Sequence, residues 1–240
     1  MKKHIPNFIT SLNLACGAVA IVFTFQGHFE VAFPLMLAAA VFDFLDGMAA
    51  RALKAYSPMG RELDSLADMV SFGVLPSMML FCLMRTCTFG ENPLCFAALL
   101  IAVFSGLRLA KFNVDERQHE NFLGLPTPAC ALLCGALCDY VAHAPASLPA
   151  LWSAGVVFIP VLSLCLALLL VSELPMFSMK LSPVAFKTHD ALFYKRLLFV
   201  IEVIVLAVLV AVFGAHWSLA VLLSFALYIL KNLLYALVKV

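Results

Sequence analysis

Apolar residues in this chain arrive in long blocks, each closed by a short polar break. Eight blocks are expected as helices, over residues 8–26, 31–53, 61–84, 94–112, 127–144, 150–172, 194–214 and 217–238. A helix of about 20 residues crosses the hydrocarbon layer, and these blocks reach or approach that length. No stretch alternates apolar and polar residues for long enough to build a membrane barrel. There is no low-complexity tract, long linker or internal repeat. The expected fold is therefore all-α integral membrane, a single domain over 1–240 with about eight transmembrane helices.

Composition agrees: 64% of the residues are hydrophobic and 12% charged. A soluble domain carries about twice that charged share. Formal net charge is +1, so the overall charge names no partner and no nucleic acid is expected. The placement of the cations is more informative. Lys2, Lys3, Lys54, Arg61, Arg108, Lys111, Arg117, Lys180, Lys187, Lys195, Arg196 and Lys239 fall on one side of an eight-span arrangement, and Arg85 on the other. Under the positive-inside rule both termini are cytoplasmic, as are the polar segments 113–126 and 173–193. A multi-pass protein of the cell (inner or plasma) membrane is expected.

Two local features have competing readings. Lys2-Lys3 before an apolar run resembles a signal peptide, but Asn7, Thr10 and Asn13 interrupt that run, and an uncleaved first span is expected. The eight cysteines include no C-x2-C pair. Cys130, Cys134 and Cys138 recur at four-residue spacing, which suits small residues packed between helices better than a metal site without histidine. Cys87 and Cys95 fall at an expected outer loop, where a disulfide is the minority reading.

The candidate chemistry lies in the carboxylates. Of fourteen acidic residues, four aspartates fall between positions 43 and 68. Each carboxylate inside a membrane costs about 2.5–3.5 kcal/mol on insertion scales, so a group of them calls for a reason. At 100° per residue, Asp43, Asp46, Gly47, Ala50 and Arg51 share an arc of about 140° at the end of the second span. Gly60, Asp64 and Asp68 share about 80° at the start of the third. Tyr56-Ser57-Pro58 turns the chain between them, so the two polar faces can meet in a hairpin. Four converging carboxylates repel one another unless a cation joins them. Oxygen donors without histidine or cysteine favour a hard ion such as Mg²⁺, Mn²⁺ or Ca²⁺. Two such ions form the usual clamp for displacement at phosphorus. Gly47 and Gly60 would let a phosphate-bearing ligand approach the backbone. The plainer alternative, helix-end aspartates facing water, predicts neither the spacing nor the glycines.

Residues 43–68 read D-F-L-D-G-M-A-A-R-A-L-K-A-Y-S-P-M-G-R-E-L-D-S-L-A-D. They match, without a departure, the D-x2-D-G-x2-A-R-x8-G-x3-D-x3-D pattern of the CDP-alcohol phosphotransferases, which the chain thus resembles. The resemblance implies a six-helix catalytic core, a homodimer, two divalent cations (Mg²⁺ or Mn²⁺) and a CDP-linked donor. By position, Asp43, Asp46, Asp64 and Asp68 look like metal ligands, and Asp68 also like the general base. Gly47, Ala50, Arg51 and Gly60 look like the cytidine and diphosphate pocket.

Four further strings are similar to those of membrane-embedded phosphatidylserine synthases: Ile5-Pro6-Asn7-Phe8, Ser71-Phe72-Gly73-Val74-Leu75-Pro76, Arg108-Leu109-Ala110-Lys111-Phe112-Asn113 and Gly124-Leu125-Pro126-Thr127-Pro128. Two spans beyond the core fit that subfamily as well. The resemblance implies CDP-diacylglycerol and L-serine as substrates. Ser71, three residues after Asp68, is expected on the same face, and Arg108 and Lys111 bring cations for a carboxylate or lipid phosphate. For Lys111, ordinary cytoplasmic-side charge is an equal alternative. A phosphorylated acceptor, glycerol 3-phosphate or inositol phosphate, would need a further cation cluster. Glycerophosphate-using relatives usually carry an Arg-Glu pair where this chain has Arg108-Leu109. A cation transporter is a third reading, disfavoured by Arg51 beside the acidic group. Asp139 and Glu202, each alone within a span, are expected to snorkel or to pair structurally. The six histidines show no ligand spacing; His119 alone is near the expected site.

Overall fold

The computed structural model describes residues 4–88, 92–114, 122–176 and 191–238. Lys2, Lys3, Arg117, His119, Lys180, Lys187 and Lys239, which entered the reading above, lie outside them. Helices dominate. They are α1 (His4–Phe25), α2 (Phe29–Leu53), α3 (Pro58–Asp68), α4 (Leu75–Cys87), α5 (Leu99–Val114), α6 (Thr127–His143), α7 (Leu148–Ser153), α8 (Phe158–Val171), α9 (Ala191–Val212) and α10 (Ser218–Val238). A π-helical turn, Met69–Val74, joins α3 to α4, and a 3₁₀ segment, Pro93–Ala98, leads into α5.

Five helical stretches among the described residues are long and apolar enough to cross a membrane: His4–Phe25, Phe29–Leu53, Pro58–Cys87, Pro93–Val114 and Ser218–Ala236. Phe158–Val171 and Leu197–Val212 are shorter apolar helices. The protein is thus a multi-pass, all-α membrane protein. Each of the eight apolar blocks is helical, but the block at 150–172 is broken at residues 154–157 between α7 and α8.

The helix α6 runs through the middle of the bundle, packed on α2, α4 and α10. Its composition explains how. Ala129, Cys130, Ala131, Cys134, Ala136 and Cys138 are all buried. Small side chains let neighbouring backbones approach, and such close packing drives helix association where no hydrophobic effect operates. The three cysteines are therefore packing residues, and Cys87 and Cys95 also carry free thiols.

Two departures from the expected spans affect the site. The span expected to run unbroken over 61–84 contains the π turn directly after Asp68. A π turn rotates fewer degrees per residue than an α-helix and commonly marks a functional position. The other departure is a short antiparallel pairing, Phe122–Leu123 with Pro175–Met176, where only loops were expected. Gly124, at φ 76, follows it. A Cβ on Gly124 would lie 2.6 Å from the Leu170 carbonyl oxygen. Its N–H donates to the Leu174 carbonyl at 2.9 Å, and that of Leu125 to the Leu169 carbonyl at 2.9 Å. The loop entering α6 is thereby fixed against the end of α8.

Candidate active site

The α2–α3 turn is built by local rules. Lys54, with φ 49, ends α2 in the left-handed conformation, and its N–H reaches the Ala50 and Arg51 carbonyls. Ser57 caps α3: its Oγ accepts from the Gly60 N–H at 3.0 Å. Pro58 supplies the first helical position, where a missing N–H is harmless. The turn is short enough that the last turns of α2 face the first turns of α3.

That hairpin gathers the carboxylates. Oxygen atoms of Asp43, Asp64 and Asp68 all lie within 4.8 Å of one another. Asp46, nearly buried at 6% exposure, sits beside them, in electrostatic contact with Asp64. Like charges this close in a low-dielectric setting need a compensating cation, and the donors are all oxygen. The residues present therefore fit a hard divalent ion.

Two side chains from α1 complete the arrangement. The Thr10 hydroxyl lies 2.5 Å from Asp46 Oδ2 and 3.0 Å from the Pro6 carbonyl. Asn13 Nδ2 donates to Asp68 Oδ1 at 3.5 Å, a long contact. Neither residue was assigned to the site from the sequence. The signal was present, however: Asn7, Thr10 and Asn13 recur every third residue in a mostly apolar helix, and so share one face.

The pocket positions are adjacent. Gly47 faces only its own helix's Arg51 guanidinium, at 3.6 Å from an added Cβ, and Arg51 itself is exposed. A Cβ on Gly60 would meet Asn7 Oδ1 at 3.0 Å, so α1 also closes on this end of α3. Ala50 is partly exposed on the same stretch of α2.

Ser71 differs from the expectation. It lies in the π turn, fully buried against α1, and donates to the Asn13 carbonyl at 3.1 Å. A Cβ on Gly17 would come 2.2 Å from its hydroxyl oxygen. Ser71 thus supports the helix that presents Asn13, and its hydroxyl does not open onto the aspartates.

Arg108 is buried at 7% exposure, and its Nη1 donates to Thr127 Oγ1 at 2.7 Å. It lies within electrostatic range of Asp68 and Tyr228, which joins α5, α6 and α10 to the site. The fixed loop at Gly124 is what sets Thr127 in position. Lys111 instead extends to Glu173, with Nζ 3.6 Å from Oε1 and both side chains well exposed. Nearby, the Arg61 guanidinium donates to the Asn113 carbonyl, and Asn113 Nδ2 donates to Ser65 Oγ at 2.9 Å, tying α5 to α3.

Of the isolated acids, Glu202 pairs with Lys231 at 2.5 Å, joining α9 to α10. Asp139 lies at the opposite end of the bundle, beside two histidines.

Several known proteins resemble this chain in sequence. A CDP-diacylglycerol–serine O-phosphatidyltransferase of Bacillus subtilis is 41% identical over 126 residues, covering 52% of this chain and 70% of that protein. One from Mycobacterium bovis is 40% identical over 136 residues, covering 53% and 46%. One from Methanocaldococcus jannaschii is 35% identical over 137 residues, covering 57% and 61%. The matched stretch is thus under two thirds of the mycobacterial and archaeal proteins. Residues 3–223 match the CDP-alcohol phosphatidyltransferase family, and with the hairpin of aspartates in place the chain belongs to that family.

Proposed function

We propose that this chain transfers the phosphatidyl group of CDP-diacylglycerol to L-serine, giving phosphatidylserine and CMP. The observation that carries the reading is the convergence of Asp43, Asp64 and Asp68 at the hairpin that also presents Gly47, Arg51 and Gly60. The names of the similar bacterial and archaeal proteins support serine as the acceptor.

Asp43, Asp46, Asp64 and Asp68 would hold two divalent cations, Mg²⁺ or Mn²⁺. Bound there, these supply electrostatic stabilisation of the charge that develops on the phosphoryl oxygens. Gly47, Ala50, Arg51 and Gly60 receive the cytidine and diphosphate. Asp68 accepts the proton of the serine hydroxyl as its oxygen forms the new bond to phosphorus. The bond from phosphorus to the CMP oxygen breaks, and CMP departs with that electron pair. Thr10 and Asn13 hold Asp46 and Asp68 in orientation. Arg108, steadied by Thr127, faces the serine carboxylate; Lys111 is peripheral.

The working form is a homodimer of the cell (inner or plasma) membrane. Its eight crossings place both termini and the aspartate hairpin on the cytoplasmic side, where serine is available. The direct test supplies purified protein with CDP-diacylglycerol, Mg²⁺ or Mn²⁺ and one candidate acceptor at a time. Phosphatidylserine should form, and a chelator should stop it. A product with glycerol 3-phosphate or inositol phosphate and none with serine would refute the acceptor.

A further inference from the structure

The end of the bundle remote from the aspartate hairpin holds a second polar cluster with a different donor set. Asp139 closes the last turns of α6, His143 is its final residue, and His216 lies in the short connection between α9 and α10. One ligand atom from each falls within 4.8 Å of the others. The two imidazoles are stacked, with ring centroids 3.8 Å apart and planes 10° from parallel.

The carboxylate of Asp139 gives the second observation. The residue is fully buried, and among the described residues its oxygens have only the Ser218 hydroxyl and the two imidazoles as polar neighbours, with no hydrogen bond of good geometry from either ring. Oδ2 faces His216 Nδ1 at 3.3 Å and Oδ1 faces His143 Nδ1 at 3.6 Å. A charge-assisted N–H···O bond is about 2.7–2.9 Å, so these contacts leave the carboxylate undercompensated. A buried carboxylate in this state calls for a cation. Both rings are steered by neighbours: His143 Nδ1 lies 2.9 Å from the Asp139 main-chain oxygen, and His216 Nδ1 2.8 Å from Ser218 Oγ. The main-chain oxygen can only accept, so His143 Nδ1 carries the proton and that ring would ligate through Nε2.

We propose that Asp139, His143 and His216 form a binding site for a divalent transition-metal ion of the zinc class, separate from the aspartate hairpin. Mixed imidazole and carboxylate donors suit Zn²⁺ and its neighbours, whereas the oxygen-only hairpin suits Mg²⁺ or Mn²⁺. Three protein ligands leave a fourth position for water. The side chains of His143 and His216 are 36% and 25% exposed, so an ion can enter from solvent at this end. The site has a structural consequence. It ties the α9–α10 connection to α6, next to the stack of Phe33 on Trp217, whose centroids are 5.3 Å apart. The ion would fasten the last two helices to the rest of the bundle.

The test titrates the full chain in detergent with Co²⁺ as a spectroscopic stand-in for Zn²⁺, under excess Mg²⁺ to fill oxygen-only sites. One Co²⁺ should bind per chain, with visible ligand-field bands and no thiolate charge-transfer band, which excludes the cysteines as ligands. His143→Ala and His216→Ala should each weaken binding by at least about 100-fold, the upper end of what even outer partners of a metal contribute. Asp64→Asn should leave it intact. Zn²⁺ should raise the Tm of the parent chain and not that of His216→Ala. His216→Gln provides the same reading if an alanine variant does not fold. Parent-like Co²⁺ affinity in the histidine variants, or no binding by the parent chain, overturns the proposal and leaves a proton shared between Asp139 and its histidines as the compensating charge.

Discussion

The two ends of this bundle solve the same problem, a group of ionisable side chains near lipid, in opposite ways. At one end, Asp43, Asp46, Asp64 and Asp68 come from 26 consecutive residues joined by a single capped turn. At the other, Asp139 and His143 meet His216, more than seventy residues along the chain, only after α10 docks on α6. The first cluster is brought together by helix periodicity and one local turn, with α1 packed against both helices; the second needs the tertiary fold. The first has only oxygen donors and two helpers from α1, the second mixes nitrogen and oxygen. The difference teaches that proximity in sequence decides which site can be read without a structure, and donor chemistry decides what each can hold.

The largest expected effect falls at the hairpin. Asp43→Asn and Asp64→Asn each remove a member of the three-carboxylate group, so CDP-lipid binding and CMP release should be lost together. Asp68→Asn should divide them: turnover falls by about 10²–10⁴-fold, the usual contribution of a general base, while much of the CDP-lipid affinity remains. Binding of CDP-lipid measured beside CMP release separates the two patterns. If Asp68→Asn loses binding as Asp43→Asn does, its main role is metal ligation.

A smaller effect is expected at the π turn. Gly17→Ala would place a methyl 2.2 Å from the Ser71 hydroxyl oxygen, and overpacking of this kind costs about 1–3 kcal/mol. The Tm in detergent should fall, and turnover should fall with it, because Ser71 supports the Asn13 backbone beside Asp68. An unchanged Tm would mean that α1 moves freely away from the turn.

Next comes the buried arginine. Thr127→Val removes a 2.7 Å hydrogen bond to Arg108; such bonds to charged groups contribute about 1.5–3 kcal/mol. The KM for serine should rise roughly tenfold or more, with the apparent affinity for Mg²⁺ or Mn²⁺ unchanged. Arg108→Ala should raise it further. A change in metal affinity equal to that in KM would place Arg108 with the cations and not with the acceptor. The smallest effect is at Lys111. Its exposed contact with Glu173 is of the kind that contributes about 0–1 kcal/mol, so Lys111→Ala should alter KM by no more than about threefold.

The parts of the site legible in sequence share one property: they follow from local rules. Helix periodicity placed Asp43 with Asp46 and Asp64 with Asp68, and the Tyr56-Ser57-Pro58 turn predicted the hairpin. The apolar blocks predicted the helices, although α3 and α4 divide one block and α7 and α8 another. No local pattern announced the π turn in which Ser71 is buried. The histidines showed no ligand spacing because their cluster is tertiary. Asn13 and Thr10 were legible only as interruptions of an apolar helix; their partners 55 and 36 residues away required the packing of α1 on the hairpin.

The most direct measurement of the central claim compares CMP release from CDP-diacylglycerol plus serine for the parent chain and Asp64→Asn in one detergent, with Mg²⁺ or Mn²⁺ present. The account predicts release by the parent chain and none above background by Asp64→Asn. Release by Asp64→Asn within tenfold of the parent rate would contradict it.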